Sequence, residues 1–93
     1  MHFTKVDGKH KADIKLYALS TCGWCKKAKQ FLNEKGLAYA YIDVDLLDDD
    51  ENLTVMETIR KWNPSGSFPT IVINNKKGLR GFSSSDLMKA LEE

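Results

Sequence analysis

Ile14-Lys15-Leu16-Tyr17-Ala18-Leu19 leads directly into Ser20-Thr21-Cys22-Gly23-Trp24-Cys25, and the reading of this junction decides the fold. The first six residues alternate, with Ile14, Leu16 and Ala18 on one face and Tyr17 and Leu19 on the other. Both faces are apolar enough for a central strand covered on two sides. From Gly23 to about Lys35 the period changes: Ala28, Phe31 and Leu32 stack at i, i+3 and i+4, while Lys26, Lys27, Lys29 and Lys35 stay wet. Gly36 is a natural C-terminal stop. The two cysteines therefore stand where a strand ends and a helix begins.

Ala38 to about Val44 is rich in aromatic and β-branched residues, and strand, helix, strand in sequence implies a right-handed parallel crossover. Asp48, Asp49, Asp50 and Glu51 form the acidic first turn of a second helix, whose apolar stripe is Leu53, Met56, Ile59 and Trp62. Asn63-Pro64-Ser65-Gly66 breaks the chain; Pro69 to Asn74 is then a short buried strand, and Lys77 to Phe82 pairs with it across an Asn74-Asn75 turn. Ser83 to Asp86 makes a capping box ahead of Leu87, Ala90 and Leu91. The result is an α/β chain, a four-stranded mixed sheet flanked by three helices. Residues 1–13 are polar and contain the turn dipeptide Asp7-Gly8, so they are expected to form an extra hairpin or arm outside a domain of residues 14–93.

The 93 residues suffice for one core and no separate substrate domain. Fourteen basic against thirteen acidic residues leave a formal charge of +1, so there is no basic field to attract nucleic acid. No apolar run reaches the roughly 18 to 20 residues that cross a bilayer. Met1-His2-Phe3-Thr4-Lys5 leads into polar sequence, so a cytoplasmic location with no membrane contact is expected. A bridge between cysteines this close would constrain the unfolded chain very little, which rules out a structural staple. Zinc needs four ligands, and His2 and His10 lack ligand spacing with the cysteines, so no metal site is expected.

Unpaired N–H groups and the positive end of the helix dipole stabilise a thiolate at a helix start. Cys22 occupies that position and is the expected nucleophile toward a substrate disulfide; Cys25 is the resolving thiol that releases reduced product. Their i, i+3 spacing brings the Cα atoms to about 5 to 6 Å, within disulfide range.

From Ile14 to Glu92 the chain resembles the glutaredoxin family of thioredoxin-like fold. Cys22-Gly23-Trp24-Cys25 stands at the family's redox motif, Ser67-Phe68-Pro69 at its Thr-Val-Pro-like segment, and Gly81-Phe82-Ser83-Ser84 at its Gly-Gly-containing turn. The resemblance implies a cis Pro69, with the Phe68 backbone beside Cys22 to pair with a bound substrate, whereas Pro69 on its own reads as the start of an edge strand. It implies exposure of Trp24 to partners, and substrate contacts at Gly81, Ser83 and Ser84; as residues, the two serines read equally well as helix capping. Trp62 and Met56 read as packing.

Glutathione-using members grip a glutathione carboxylate with a lysine just ahead of the nucleophile; here those positions are Leu19, Ser20 and Thr21. Phe82 replaces the second glycine of the turn. These departures resemble the glutaredoxin-like redoxins, which take electrons from a thioredoxin-type reductase and serve disulfide-containing proteins such as ribonucleotide reductase. A monomer without a permanently bound cofactor is expected, with glutathione as the other candidate reductant. The alternative implied by Gly23 in the motif is a [2Fe-2S] cluster shared between two subunits through Cys22 of each.

Overall fold

Ile14–Ala18, the stretch expected to be central, is the middle strand of a five-stranded sheet. The structure is a computed structural model that describes residues 2–92; Met1 and Glu93, the outer limits of the two segments expected from the sequence, lie outside them. In chain order the elements are β1 (Thr4–Val6), β2 (Ile14–Ala18), α1 (Gly23–Glu34), β3 (Tyr39–Asp43), a 3-10 turn (Val44–Leu46), α2 (Asp49–Trp62), β4 (Thr70–Ile73), β5 (Lys77–Arg80) and α3 (Ser84–Leu91). The sheet order is β1-β3-β2-β4-β5. β2 and β3 are parallel, joined by the crossover through α1, and the other three pairings are antiparallel.

The period of two in the strands divides the core. Ile14, Leu16 and Ala18 join Ile71 and Ile73 beneath Ala28 and Leu32 of α1 and Leu87, Ala90 and Leu91 of α3. Tyr17, Ile42 and Val72 face the opposite side, where Val55 and Ile59 of α2 cover them. A strand buried on both faces cannot slip by one residue without turning apolar side chains the wrong way.

Two expectations are corrected. The sheet has five strands instead of four because Thr4–Val6 pairs antiparallel with Tyr39–Tyr41; the N-terminal segment is neither a hairpin of its own nor a loose arm. Asp7-Gly8 closes no hairpin. Instead Gly8 lets the backbones touch, since a Cβ there would lie 2.7 Å from the Gly36 carbonyl oxygen. Lys9 donates to that same oxygen at 2.8 Å and accepts from Ala38 at 3.0 Å. The second correction concerns α2, where Leu53 is 66% exposed and Val55 is buried. At 3.6 residues per turn, Leu53 is about 120° around the helix from Ile59, and Val55 only about 40°. Trp62 and Met56 pack against the α2-side cluster, as expected.

Local signals placed the ends. Asp48 caps α2 by accepting the Glu51 N–H at 2.8 Å, and Ser83 caps α3 through Asp86. Asn74 and Asn75 both take positive φ in the β4–β5 turn, a conformation asparagine tolerates. Replacing Gly8 with alanine is expected to destabilise the fold by about 1–3 kcal/mol through that backbone clash. Urea denaturation followed by circular dichroism would read it; an unchanged midpoint would mean that β1 is not docked.

Candidate functional site

β2 ends at Ala18, and Leu19–Thr21 carries the chain to α1. This short loop is tethered: the Ser20 N–H donates to the Asp45 carboxylate at 2.8 Å, and the Ser20 hydroxyl donates to its second oxygen. These bonds hold the Asp45 carboxyl below its ordinary pKa range, the hydroxyl contributing most. The loop thereby delivers Cys22 to the helix start.

Cys22 is the N-cap of α1, with extended backbone (φ −87°, ψ 119°). Its Sγ accepts the Cys25 N–H at 3.2 Å, and its carbonyl accepts the Lys26 N–H at 3.1 Å. The capping role usually taken by a serine or aspartate oxygen is filled here by sulfur. Cys22 is half-buried and Cys25 fully buried, and both are free thiols. Burial pushes the Cys25 thiol up to about 12, helped by its hydrogen bond to Cys22 and by the Cys22 charge. A backbone hydrogen bond at Leu19 opposes that rise most, and Lys29, one turn further along α1 and paired with Asp43 at 3.0 Å, adds to the opposition.

The Phe68–Pro69 peptide bond is cis. Pro69 precedes an interior strand, β4 between β2 and β5, and so does not begin an edge strand. Asn63 fixes the loop that carries it. Fully buried at the end of α2, its Nδ2 donates to the Ser67 carbonyl at 3.2 Å and to the Thr70 hydroxyl at 3.0 Å, while its Oδ1 accepts from Ser65 at 2.7 Å. The Phe68 N–H and carbonyl take no hydrogen bond among the described residues. Gly81, at φ +73°, donates to the Pro69 carbonyl at 2.7 Å and ties the last turn to the same loop.

A groove of about 270 Å³ results, lined by Trp24, Phe68, Pro69, Arg80, Gly81, Phe82 and Ser83. Trp24 is 59% exposed, and the Lys27 ammonium lies 4.3 Å from its ring centre. Phe82, in place of the second glycine, packs on Phe31 at a tilt of 57° with centroids 5.6 Å apart and so pins the turn to α1. Five of the six expected substrate-contact residues, Trp24, Phe68, Pro69, Gly81 and Ser83, thus share one groove; Ser84 begins α3 outside its lining. Sequence reasoning missed Asn63, Asp45 and Arg80. Only Asn63 left a signal, as a polar residue heading the Asn-Pro-Ser-Gly break. A larger hollow of about 340 Å³ lies beside Ile14, at the other end of β2 from the thiols. Among the described residues no three His, Cys, Asp or Glu side chains cluster to hold a metal ion.

Residues 14–77 match the Glutaredoxin family model. The chain belongs to the glutaredoxin family. A glutaredoxin structure from Methanosarcina mazei is 36% identical with a TM-score of 0.90, covering 100% of this chain and 90% of that one. Methanoredoxin from Methanosarcina acetivorans is also 36% identical with a TM-score of 0.89, over 100% of this chain and 97% of that one. A glutaredoxin-like 8.6 kDa protein of the Clostridium pasteurianum rubredoxin operon is 31% identical over 86% of this chain and 99% of its own length. The thioredoxin-like fold expected from the sequence is therefore present, with one strand more.

The different environments of the two family cysteines have a direct consequence. Iodoacetamide on the reduced native protein should label Cys22 and spare Cys25 at pH 7 to 8, because access and thiolate character both limit alkylation. Fragmentation of the tryptic peptide 16–26 would locate the label; equal labelling of both would contradict the burial of Cys25.

Proposed function

We propose that this chain is a thiol-disulfide oxidoreductase working by the dithiol route, with Cys22 as nucleophile and Cys25 as resolving thiol. One observation carries the reading: a half-exposed sulfur at a helix start, hydrogen-bonded at 3.2 Å to the residue that bears a second, buried thiol. Cys22 attacks a substrate disulfide and expels one thiolate, leaving a mixed disulfide. That step removes the charge and the thiol hydrogen bond of Cys22 from beside Cys25, two of the causes that hold the Cys25 proton. Cys25 is then freed to ionise, attacks Cys22 Sγ, and expels the second thiolate. Burial, the largest cause, still acts on Cys25 after that step, so occupying Cys22 favours ionisation of Cys25 without being its sole control.

The groove supplies the substrate contacts in this reading. The unpaired Phe68 N–H and carbonyl beside cis Pro69 take a substrate backbone in strand fashion, Trp24 gives an apolar wall, and Gly81 and Ser83 complete the lining. Ser84, at the first turn of α3, offers a backbone N–H to a substrate carboxylate. Substrates are disulfides in proteins, ribonucleotide reductase among the candidates, or mixed disulfides with glutathione. Leu19 at the family's lysine position favours a thioredoxin-type reductase over glutathione as electron source. A bridging [2Fe-2S] cluster would use Cys22 and leave Cys25 idle, whereas the two are coupled here by a hydrogen bond. The protein works as a cytoplasmic monomer in this reading; no helix among the described residues is long and apolar enough to cross a membrane.

Cys22→Ser should lower reduction of insulin or a small mixed disulfide by at least about 10³-fold, the scale of losing a covalent nucleophile. Cys25→Ser should retain attack and accumulate a mixed disulfide visible by mass spectrometry. Equal activity in both variants would sink the assignment. Turnover compared with glutathione and with a thioredoxin-type reductase identifies the donor; exclusive use of glutathione would contradict the role given to Leu19.

A further inference from the structure

The groove beside the thiols has one formal charge among its lining residues, and it is the cation Arg80. Arg80 ends β5 opposite Thr70, the residue that follows cis Pro69. It is exposed, and its guanidinium has no ion-pair or hydrogen-bond partner among the described residues. A second cation lies against the groove's Trp24, since Lys27 covers its ring. The carboxylates of Asp45 and Asp86 lie outside the groove lining. An unpartnered guanidinium at a groove rim attracts anions, and its planar fork matches a carboxylate with two parallel hydrogen bonds.

We propose that Arg80 sets the charge preference of the site, so that the groove takes small disulfides bearing a carboxylate a few bonds from sulfur ahead of neutral or cationic ones. This rests on the thiol-exchange reading of Cys22 and Cys25. The step balances within the proteins and substrate alone. The disulfide R–S–S–R gains two electrons and becomes two R–SH, taking the protons of both cysteines, while the protein loses two electrons and closes the Cys22–Cys25 bond. Arg80 takes no part in bond making; it holds the carboxylate of the incoming half-molecule.

Prereduced protein can be mixed in single turnover with three disulfides of similar length: dithiodipropionate, which is dianionic, bis(2-hydroxyethyl) disulfide, which is neutral, and cystamine, which is dicationic. Dividing each rate constant by that of dithiothreitol with the same disulfide removes differences in leaving-group reactivity. The normalised rates should fall in that order, with the dianion ahead of the neutral disulfide by about two- to fivefold, the scale of an exposed ion pair. The gap should shrink as salt is added. Arg80→Met should bring the ratio toward one, Arg80→Glu should invert it, and Arg80→Lys should keep its sign. Ratios taken on one sample cancel any loss of folded protein. A wild-type protein without the order, or an Arg80→Met variant that keeps it, would overturn the proposal. No reaction with any of the three would overturn the oxidoreductase reading itself and this inference with it.

Discussion

Cys22 Sγ accepts the Cys25 N–H because α1 begins where β2 leaves the sheet, and both thiols inherit their chemistry from that junction. β2 has no free face: Leu16 and Ala18 lie under α1 and α3, while Tyr17 lies under α2. Its direction is thereby fixed, and so is the point at which the chain emerges. A helix starting there has one half-buried sulfur at its N-cap and, one turn later, a second sulfur facing the core. The same geometry that makes Cys22 accessible keeps Cys25 protonated, because the helix surface that carries Cys25 is the one that packs with Ala28 and Leu32.

The loop that carries Phe68 and Pro69 is held by more than one kind of force. Phe68 packs against both core clusters, and the buried Asn63 amide fixes the rest of the loop through donors and an acceptor that are all engaged. Removing such a group leaves several buried partners unpaired, which costs more than one hydrogen bond contributes. Phe82 on Phe31 and the Gly81–Pro69 hydrogen bond then attach the last turn to both α1 and that loop. The site is thus clamped from two directions, one apolar and one polar, with Arg80 at the rim between them and water.

What could be read in the sequence follows from how local each signal is. The period-two strands, the acidic stretch that opens α2, the Ser83 cap of α3 and the Cys-x-x-Cys at a strand-to-helix junction involve neighbours in the chain, and the fold realises each of them. The cis state of Pro69 came from resemblance, because nothing in Phe68-Pro69 alone distinguishes it from a strand start. Leu53 was misassigned because a stripe counted in steps of three drifts around a helix of 3.6 residues per turn. Asn63, Asp45 and Arg80 matter through partners or neighbours brought near by the fold, 25 residues away in the case of Asp45 and Ser20. The docking of Thr4–Val6 on β3 is long-range in the same sense, and the permissive signal, Gly8, looks like any turn glycine until the Gly36 carbonyl is placed against it.

That docked strand changes how the sheet ends. Without it β3 would present a five-residue edge, Tyr39–Asp43, whose unpaired N–H and carbonyl groups form a template for any extended chain. With it the outermost edge is only three residues long and has Lys5 at its middle position. Short edges that carry lysine are poor templates for strand addition. The N-terminal segment therefore leaves a shorter edge at that side of the sheet, away from β4 and β5 and from the groove.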